Sequence, residues 1–69
     1  MELEEFIKRF TYHPPKDDQL ERYETIRELG KEFATVVQEC SPESREKSLA
    51  MTKIEEAIMW ANAAIARNE

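Results

Sequence analysis

The 69-residue chain has only one cysteine, one histidine and one glycine. With Cys40 as the single cysteine, no disulfide can form within the chain, and His13 alone cannot complete a four-ligand zinc site. A chain of about 60 residues buries only about 60% of its unfolded surface, and it is marginally stable without such cross-links. We therefore expect the chain to gain stability by oligomerisation, and we expect no metal site.

Basic residues are also in deficit, with ten Lys and Arg against fifteen Asp and Glu and a formal net charge of −5. A DNA or RNA polymer or an anionic membrane needs a basic surface, so we expect neither as a partner. A few local cations can still hold a small anion. No run approaches the roughly 20 apolar residues that span a bilayer. The acidic N-terminus and the unpaired thiol predict a cytoplasmic protein.

The composition predicts an all-α fold, because charged residues make up 36% of a chain rich in Leu, Ile, Ala, Glu and Lys. Pro14, Pro15 and Pro42 divide the chain, since proline interrupts a helix. We expect helices at about residues 2–10, 17–40 and 42–68, a linker at 11–16, and a single domain over 1–69. Ser41 is the expected N-cap of the third helix. The short connection at this point predicts an antiparallel hairpin.

Apolar residues repeat with helical spacing in all three segments. The first helix has one such face, formed by Leu3, Phe6, Ile7 and Phe10. The second has the 3, 4 spacing of a helix that packs along another helix, at Ile26, Leu29, Phe33, Val36 and Cys40. Gly30 lies inside this run, and a close backbone approach is one reason for a glycine there.

The third helix has two adjacent apolar rows. The first row is Met51, Ile54, Ile58, Ala61 and Ile65, and the second is Ala50, Ala57, Trp60 and Ala64. Together they form a wider face than one partner helix can cover. Large exposed apolar patches usually mark association sites, so we expect the excess to form a subunit interface of a homo-oligomer.

The sequence has no signature of catalysis. It contains no Gly-rich phosphate loop, no HExxH and no CxxC, and His13 lies in a linker without a paired nucleophile. We predict neither an enzyme nor a cofactor.

A polar stripe at the start of the third helix is a candidate binding site. Arg45, Ser48 and Thr52 follow at i, i+3 and i+7 and share one face, with Lys47 beside them. Arginine offers a planar fork to phosphate oxygens, and hydroxyl groups can both donate and accept hydrogen bonds. An ordinary solvated helix face is the alternative.

The linker carries rings on a stiff backbone. Tyr12 and His13 can stack on a nucleobase through its π-face. The alternative is that the aromatic residues fold over the hairpin as core, which we favour for Phe10. For Tyr23 and Trp60 we expect a core or interface position.

Four stretches of the sequence resemble the helical-hairpin domain of phage-encoded sponge proteins. They are the Tyr-His-Pro-Pro stretch at 12–15, the Glu-Arg-Tyr-Glu-Thr-Ile-Arg stretch at 21–27, the Cys-Ser-Pro-Glu-Ser-Arg-Glu-Lys-Ser-Leu-Ala-Met-Thr-Lys block at 40–53 and the end at 56–68. The family includes the anti-CBASS cyclic-nucleotide sponge and related anti-Thoeris sponges. The resemblance covers about residues 10–69.

This resemblance implies a hexamer that sequesters cyclic dinucleotides, cyclic trinucleotides or cyclic ADP-ribose isomers between protomers, without cleaving them. It also implies that Arg45 contacts phosphate, with Ser48 and Thr52 on the same face and Tyr12 as a stacking ring. Lys8 and Arg9 are further phosphate candidates. The alternative function is a structural hairpin oligomer that binds a protein partner.

Overall fold

The chain is described over all 69 residues by a computed structural model that contains three helices and no strand. Helix α1 is Leu3–Phe10, α2 is Gln19–Cys40 and α3 is Arg45–Asn68. The predicted all-α class is confirmed, and α2 and α3 form a hairpin. The helices begin one, two and three residues later, respectively, than the sequence pattern indicates.

The largest difference lies at the start of α3, where Ser44 and not Ser41 is the N-cap. The Oγ of Ser44 accepts a hydrogen bond from the Lys47 N–H at 3.1 Å, as an N-cap side chain does. Ser41 instead ends α2, because its N–H donates to the Val37 carbonyl at 3.2 Å. The prediction of Ser41 as the N-cap is therefore wrong.

The two long helices are in close contact at Gly30. A Cβ atom at this position would lie 2.7 Å from Cγ1 of Ile58 and even closer to Cδ1 of the same side chain. Contacts this short do not occur in folded proteins without a shift of one partner. The absent side chain of Gly30 is thus what lets Ile58 lie against α2.

The helices form one layer, since the molecule measures 45 × 29 × 12 Å and a helix with its side chains is about 10–12 Å across. A single layer cannot cover both of its faces. Ile54 is accordingly the only buried apolar residue, and the other two buried residues are Gln19 and Lys47.

Several residues expected in contacts between helices are therefore exposed. In the α2 row, Leu29, Phe33 and Val36 are more than half exposed and Cys40 is exposed, so this row does not pack along its length against α3. Phe10, which we expected in the core, is 72% exposed. Helical periodicity identifies residues that share a face, but no second layer is present to cover that face in one chain.

Candidate functional site

The predicted polar stripe is exposed at the N-terminal end of α3. Arg45, Ser48 and Thr52 are all exposed, and none of the three side chains makes a hydrogen bond or ion pair within the chain. Their donors and acceptors are therefore free to meet a ligand. The positive end of the α3 dipole lies at the same place, and it favours an anion there.

Lys47 does not belong to this stripe. Its side chain is 6% exposed, and its Nζ donates to the Gln38 carbonyl at 2.9 Å and to Oε1 of Glu43 at 2.7 Å. Two residues along a helix correspond to a rotation of about 200°, so Lys47 lies away from the face of Arg45. Its ammonium group links the end of α2 to the start of α3. These two hydrogen bonds use the ammonium group within the chain, so it is not available to a ligand.

The candidates in the N-terminal region have different environments. Tyr12 is 80% exposed. His13 is half-buried, and its Nε2 lies 3.3 Å from the carbonyl oxygen of Lys8, a hydrogen bond when Nε2 carries the proton. This carbonyl is in the last turn of α1, where no helical partner is present, so His13 caps the helix. Lys8 is half-buried in a cleft that it shares with Arg67 of α3.

The predicted residues thus form two groups at opposite ends of α3. Arg45 begins the helix, whereas Lys8 lies beside Arg67, which is 22 residues further along α3. At 1.5 Å per residue this separation is about 33 Å. One chain therefore cannot bring Arg45 and Lys8 onto the same small ligand.

The largest concave surface is an apolar groove of about 600 Å³ between α2 and α3. Its walls include Leu29, Phe33, Ile54 and Ala57, and its single charged residue is Lys53. Lys53 lies 3.6 Å from the Glu56 carboxylate. A groove with so few polar groups lacks the donors that an anionic ligand needs, and it is better suited to association with another apolar surface.

Half of the ten basic side chains are engaged inside the chain. Arg22 donates to Glu69 from Nη1 at 2.8 Å and from Nη2 at 2.5 Å, and it lies 3.1 Å from Asp18. The hydrogen bonds from Arg22 and Gln19 lower the pKa of Glu69 to about 2. The hydrogen bond to Glu69 in turn raises the pKa of Arg22. The cationic side chains with neither an ion pair nor a hydrogen bond are Lys8, Arg27, Lys31, Arg45 and Arg67, whereas Lys16 donates to the carbonyl oxygen of Glu69.

No three His, Cys, Asp or Glu side chains are grouped as metal ligands. None of the three helices combines the length and the apolar character that crossing a membrane requires.

The family described as "Acb2/Tad1, hairpin domain" matches residues 2–66. The chain belongs to this family. The predicted resemblance to the anti-CBASS and anti-Thoeris sponges is confirmed, and the match includes α1 as well as the hairpin. Neither the curated proteins nor the solved structures contain a match to the chain.

Membership of the Acb2/Tad1 family implies a sponge-type function, which in general is binding without catalysis. The family is also associated with cyclic nucleotides and with oligomers. Trp60 and Arg67 line the cleft that contains Lys8, and neither is among the predicted site residues. The sequence shows their helical spacing but does not indicate that α1 lies beside them.

Proposed function

We propose that the chain is a non-catalytic sponge that binds and sequesters cyclic nucleotide second messengers and so blocks bacterial anti-phage immune signalling. The ligand class comprises cyclic dinucleotides, cyclic trinucleotides and cyclic ADP-ribose isomers. The observation that carries the proposal is the family match over residues 2–66. The place of action is the cytoplasm of the infected bacterium, where such messengers are made.

The polar stripe supplies the phosphate contact of the proposed site. Arg45 is charged and has no acidic partner, and the hydroxyl groups of Ser48 and Thr52 lie on the same exposed face. A guanidinium group binds phosphate oxygens through two parallel hydrogen bonds. Tyr12 is exposed enough to stack on a base, and Lys8 is a further cation for phosphate.

The site is completed by a second copy of the chain. The two groups of candidate residues lie about 33 Å apart along α3, so a ligand that contacts both must lie where two chains meet. The one-layer shape and the open apolar groove supply surfaces for that assembly, which we propose to be a hexamer. Symmetry then repeats Arg45 and raises the local positive potential despite the net charge of −5.

A structural hairpin that binds a protein partner is the competing function, and the groove of about 600 Å³ is the observation in its favour. Such a protein needs the apolar groove but has no use for an unpartnered Arg45. The ligand response of an Arg45 variant therefore separates the two functions.

Calorimetry with cyclic dinucleotides, cyclic trinucleotides and cyclic ADP-ribose isomers tests the proposal. We expect at least one ligand to bind more tightly than about 10 μM, which corresponds to about −7 kcal/mol. Arg45→Ala should lower the affinity for that ligand about tenfold or more, because a hydrogen bond to a charged group is lost. Arg27→Ala is the matched control, since Arg27 is an exposed arginine of α2 without an acidic partner. Absence of binding by the whole panel would refute the sponge for these ligands.

A further inference from the structure

A cleft of about 250 Å³ lies between α1 and the last turns of α3, at the far end of the hairpin from Arg45. On α3 its lining includes Trp60, Ala64 and Arg67, which are spaced i, i+4 and i+7 and share one face. On α1 the lining includes Glu5 and Lys8, one helical turn apart. The cleft therefore combines a large aromatic ring with charged side chains from two helices.

The free charges in this cleft are positive. Lys8 and Arg67 are both half-buried and have no acidic partner. The carboxylate of Glu5, the one acidic group of the lining, accepts a hydrogen bond from Nε of Arg9 at 3.0 Å. Partly buried charges are screened less by salt than fully exposed ones. This cleft thus attracts anions, although the whole chain is acidic.

Trp60 contributes an accessible ring to the same place. Trp60 is 57% exposed, so it is not part of the core of the single chain, and an interface position remains open to it. The neighbouring lining residue Ala64 has a small side chain. An indole ring stacks on any nucleobase, and a guanidinium group binds phosphate oxygens through a planar fork. The lining therefore offers one contact to a base and two to a phosphate.

We propose that this cleft binds one nucleoside phosphate unit, with the base stacked on Trp60 and the phosphate held by Arg67 and Lys8. The proposal rests on the proposed function, from which it takes the ligand class, and it names Trp60 as a stacking ring in addition to Tyr12. Ligand pockets usually have volumes of about 300–1,000 Å³, so this smaller cleft holds one unit of a cyclic nucleotide. The remaining units extend beyond it.

The lining also argues against direct packing of two copies of this cleft on each other. The groove between α2 and α3 is almost wholly apolar, as expected of a subunit contact. The α1–α3 cleft instead contains two unpartnered cations, and two copies of these would repel each other if an interface brought them together. An anionic ligand is the complementary occupant.

Intrinsic fluorescence reports on this cleft directly, because Trp60 is the only tryptophan of the chain. AMP is the smallest probe with one base and one phosphate, and cyclic di-AMP is the larger one. We expect both to quench the emission in a saturable way. Arg67→Gln and Lys8→Gln should each weaken the binding measured by quenching about tenfold, whereas the control Arg27→Gln should leave it unchanged. Light scattering on the same samples separates quenching by stacking from a change of assembly.

The role of the ring is tested by calorimetry, which does not need the fluorophore. Trp60→Leu should lower the affinity for AMP about tenfold or more. Trp60→Phe should retain most of the affinity, because phenylalanine also offers a π-face. Circular dichroism checks that the helices persist. If Trp60→Leu loses helix content, the surface variants Arg67→Gln and Lys8→Gln decide the question.

The outcomes separate this proposal from the sponge function. If cyclic di-AMP binds by calorimetry with the same affinity in the wild type, Arg67→Gln and Trp60→Leu, the cleft proposal is overturned and the sponge stands. If AMP quenches the Trp60 emission and Arg67→Gln weakens this quenching, but no cyclic nucleotide binds more tightly than AMP, the cleft proposal stands and the sponge is overturned. Absence of both heat and quenching overturns both.

Discussion

Arg22 at the start of α2 holds the carboxylate of Glu69 beyond the end of α3 through two hydrogen bonds, Nη1 to Oε2 at 2.8 Å and Nη2 to Oε1 at 2.5 Å. Gln19 donates a third bond to Oε1 at 3.1 Å. At the other end of the hairpin, Lys47 of α3 donates to the Gln38 carbonyl of α2. Polar contacts therefore fasten both ends of two antiparallel helices that share very little buried apolar surface.

The contact between Arg22 and Glu69 predicts a loss of stability in acid. The pKa of Glu69 is lowered from 4.5 to about 2, chiefly by the hydrogen bond from Arg22. A lowered pKa means that the stabilisation is fully present above about pH 4.5 and is lost as the pH falls towards 2. The melting temperature of the wild type should therefore fall as the pH is lowered from about 4.5 to 2. The wild type and Glu69→Gln should converge near pH 2.

Glu55→Gln is the matched control, because Glu55 is an exposed carboxylate of α3 that makes no ion pair. It should retain the acid dependence of the wild type. An equal acid dependence in Glu69→Gln and the wild type would show that Arg22 does not act on Glu69 in this way.

The close contact at Gly30 predicts that the effect of Gly30→Ala on stability depends on Ile58. The change should destabilise the wild type and stabilise a variant with a smaller residue at position 58. Gly30→Ala gains helix propensity worth up to about 1 kcal/mol, but overpacking against Ile58 costs about 1–3 kcal/mol. We expect a net destabilisation of about 1 kcal/mol in denaturant unfolding. In an Ile58→Ala background the clash is absent, so the same Gly30→Ala change should stabilise the protein. A stabilising effect of Gly30→Ala in the wild type would contradict the close approach.

The burial of Lys47 predicts a structural role. Lys47→Met removes the donor to the Gln38 carbonyl and to Glu43, and we expect a destabilisation of about 1–3 kcal/mol. Lys31→Met, at an exposed lysine without an ion pair, should change stability little. Ligand affinity of the folded Lys47→Met protein should equal that of the wild type. A stable Lys47→Met protein that has lost its ligand would instead place Lys47 in the binding site.

The apolar groove predicts assembly. Light scattering should report an oligomer at micromolar concentration, since Leu29 and Phe33 are 60% and 59% exposed in a single chain. Phe33→Asp should dissociate it, because the interface would bury an unpaired carboxylate. Thr35→Asp introduces the same charge about 200° around α2 and should leave the assembly intact. A stable wild-type monomer would contradict this interpretation of the groove.

The sequence predicts the class of fold and the exposed stripe of Arg45, Ser48 and Thr52, because helical periodicity determines which residues share a face. Periodicity does not determine whether anything covers that face. For this reason it places Phe10 in the core, although this residue is 72% exposed in the chain. The contact of Arg22 with Glu69 joins residues 47 positions apart, and no local pattern indicates it.

The start of α3 shows a second limit of local patterns. Ser41 and Ser44 are both suitable N-caps, and the choice depends on the hydrogen bond of the Ser41 N–H to the last turn of α2. The burial of Lys47 follows from that choice, because Ser44 as the N-cap turns Lys47 towards the end of α2. The cleft of Lys8, Trp60 and Arg67 depends in the same way on where α1 lies, which the linker sequence does not specify.

Sequestration without cleavage is tested by recovery of the ligand from the complex. A cyclic nucleotide from the panel is mixed with excess protein, the free ligand is measured after ultrafiltration, and the protein is then denatured by heat. A sponge should deplete the free ligand, and the whole amount should return on denaturation, unchanged in mass and chromatographic retention. Depletion followed by recovery of a linear or hydrolysed product, or no depletion by any ligand of the panel, would contradict it.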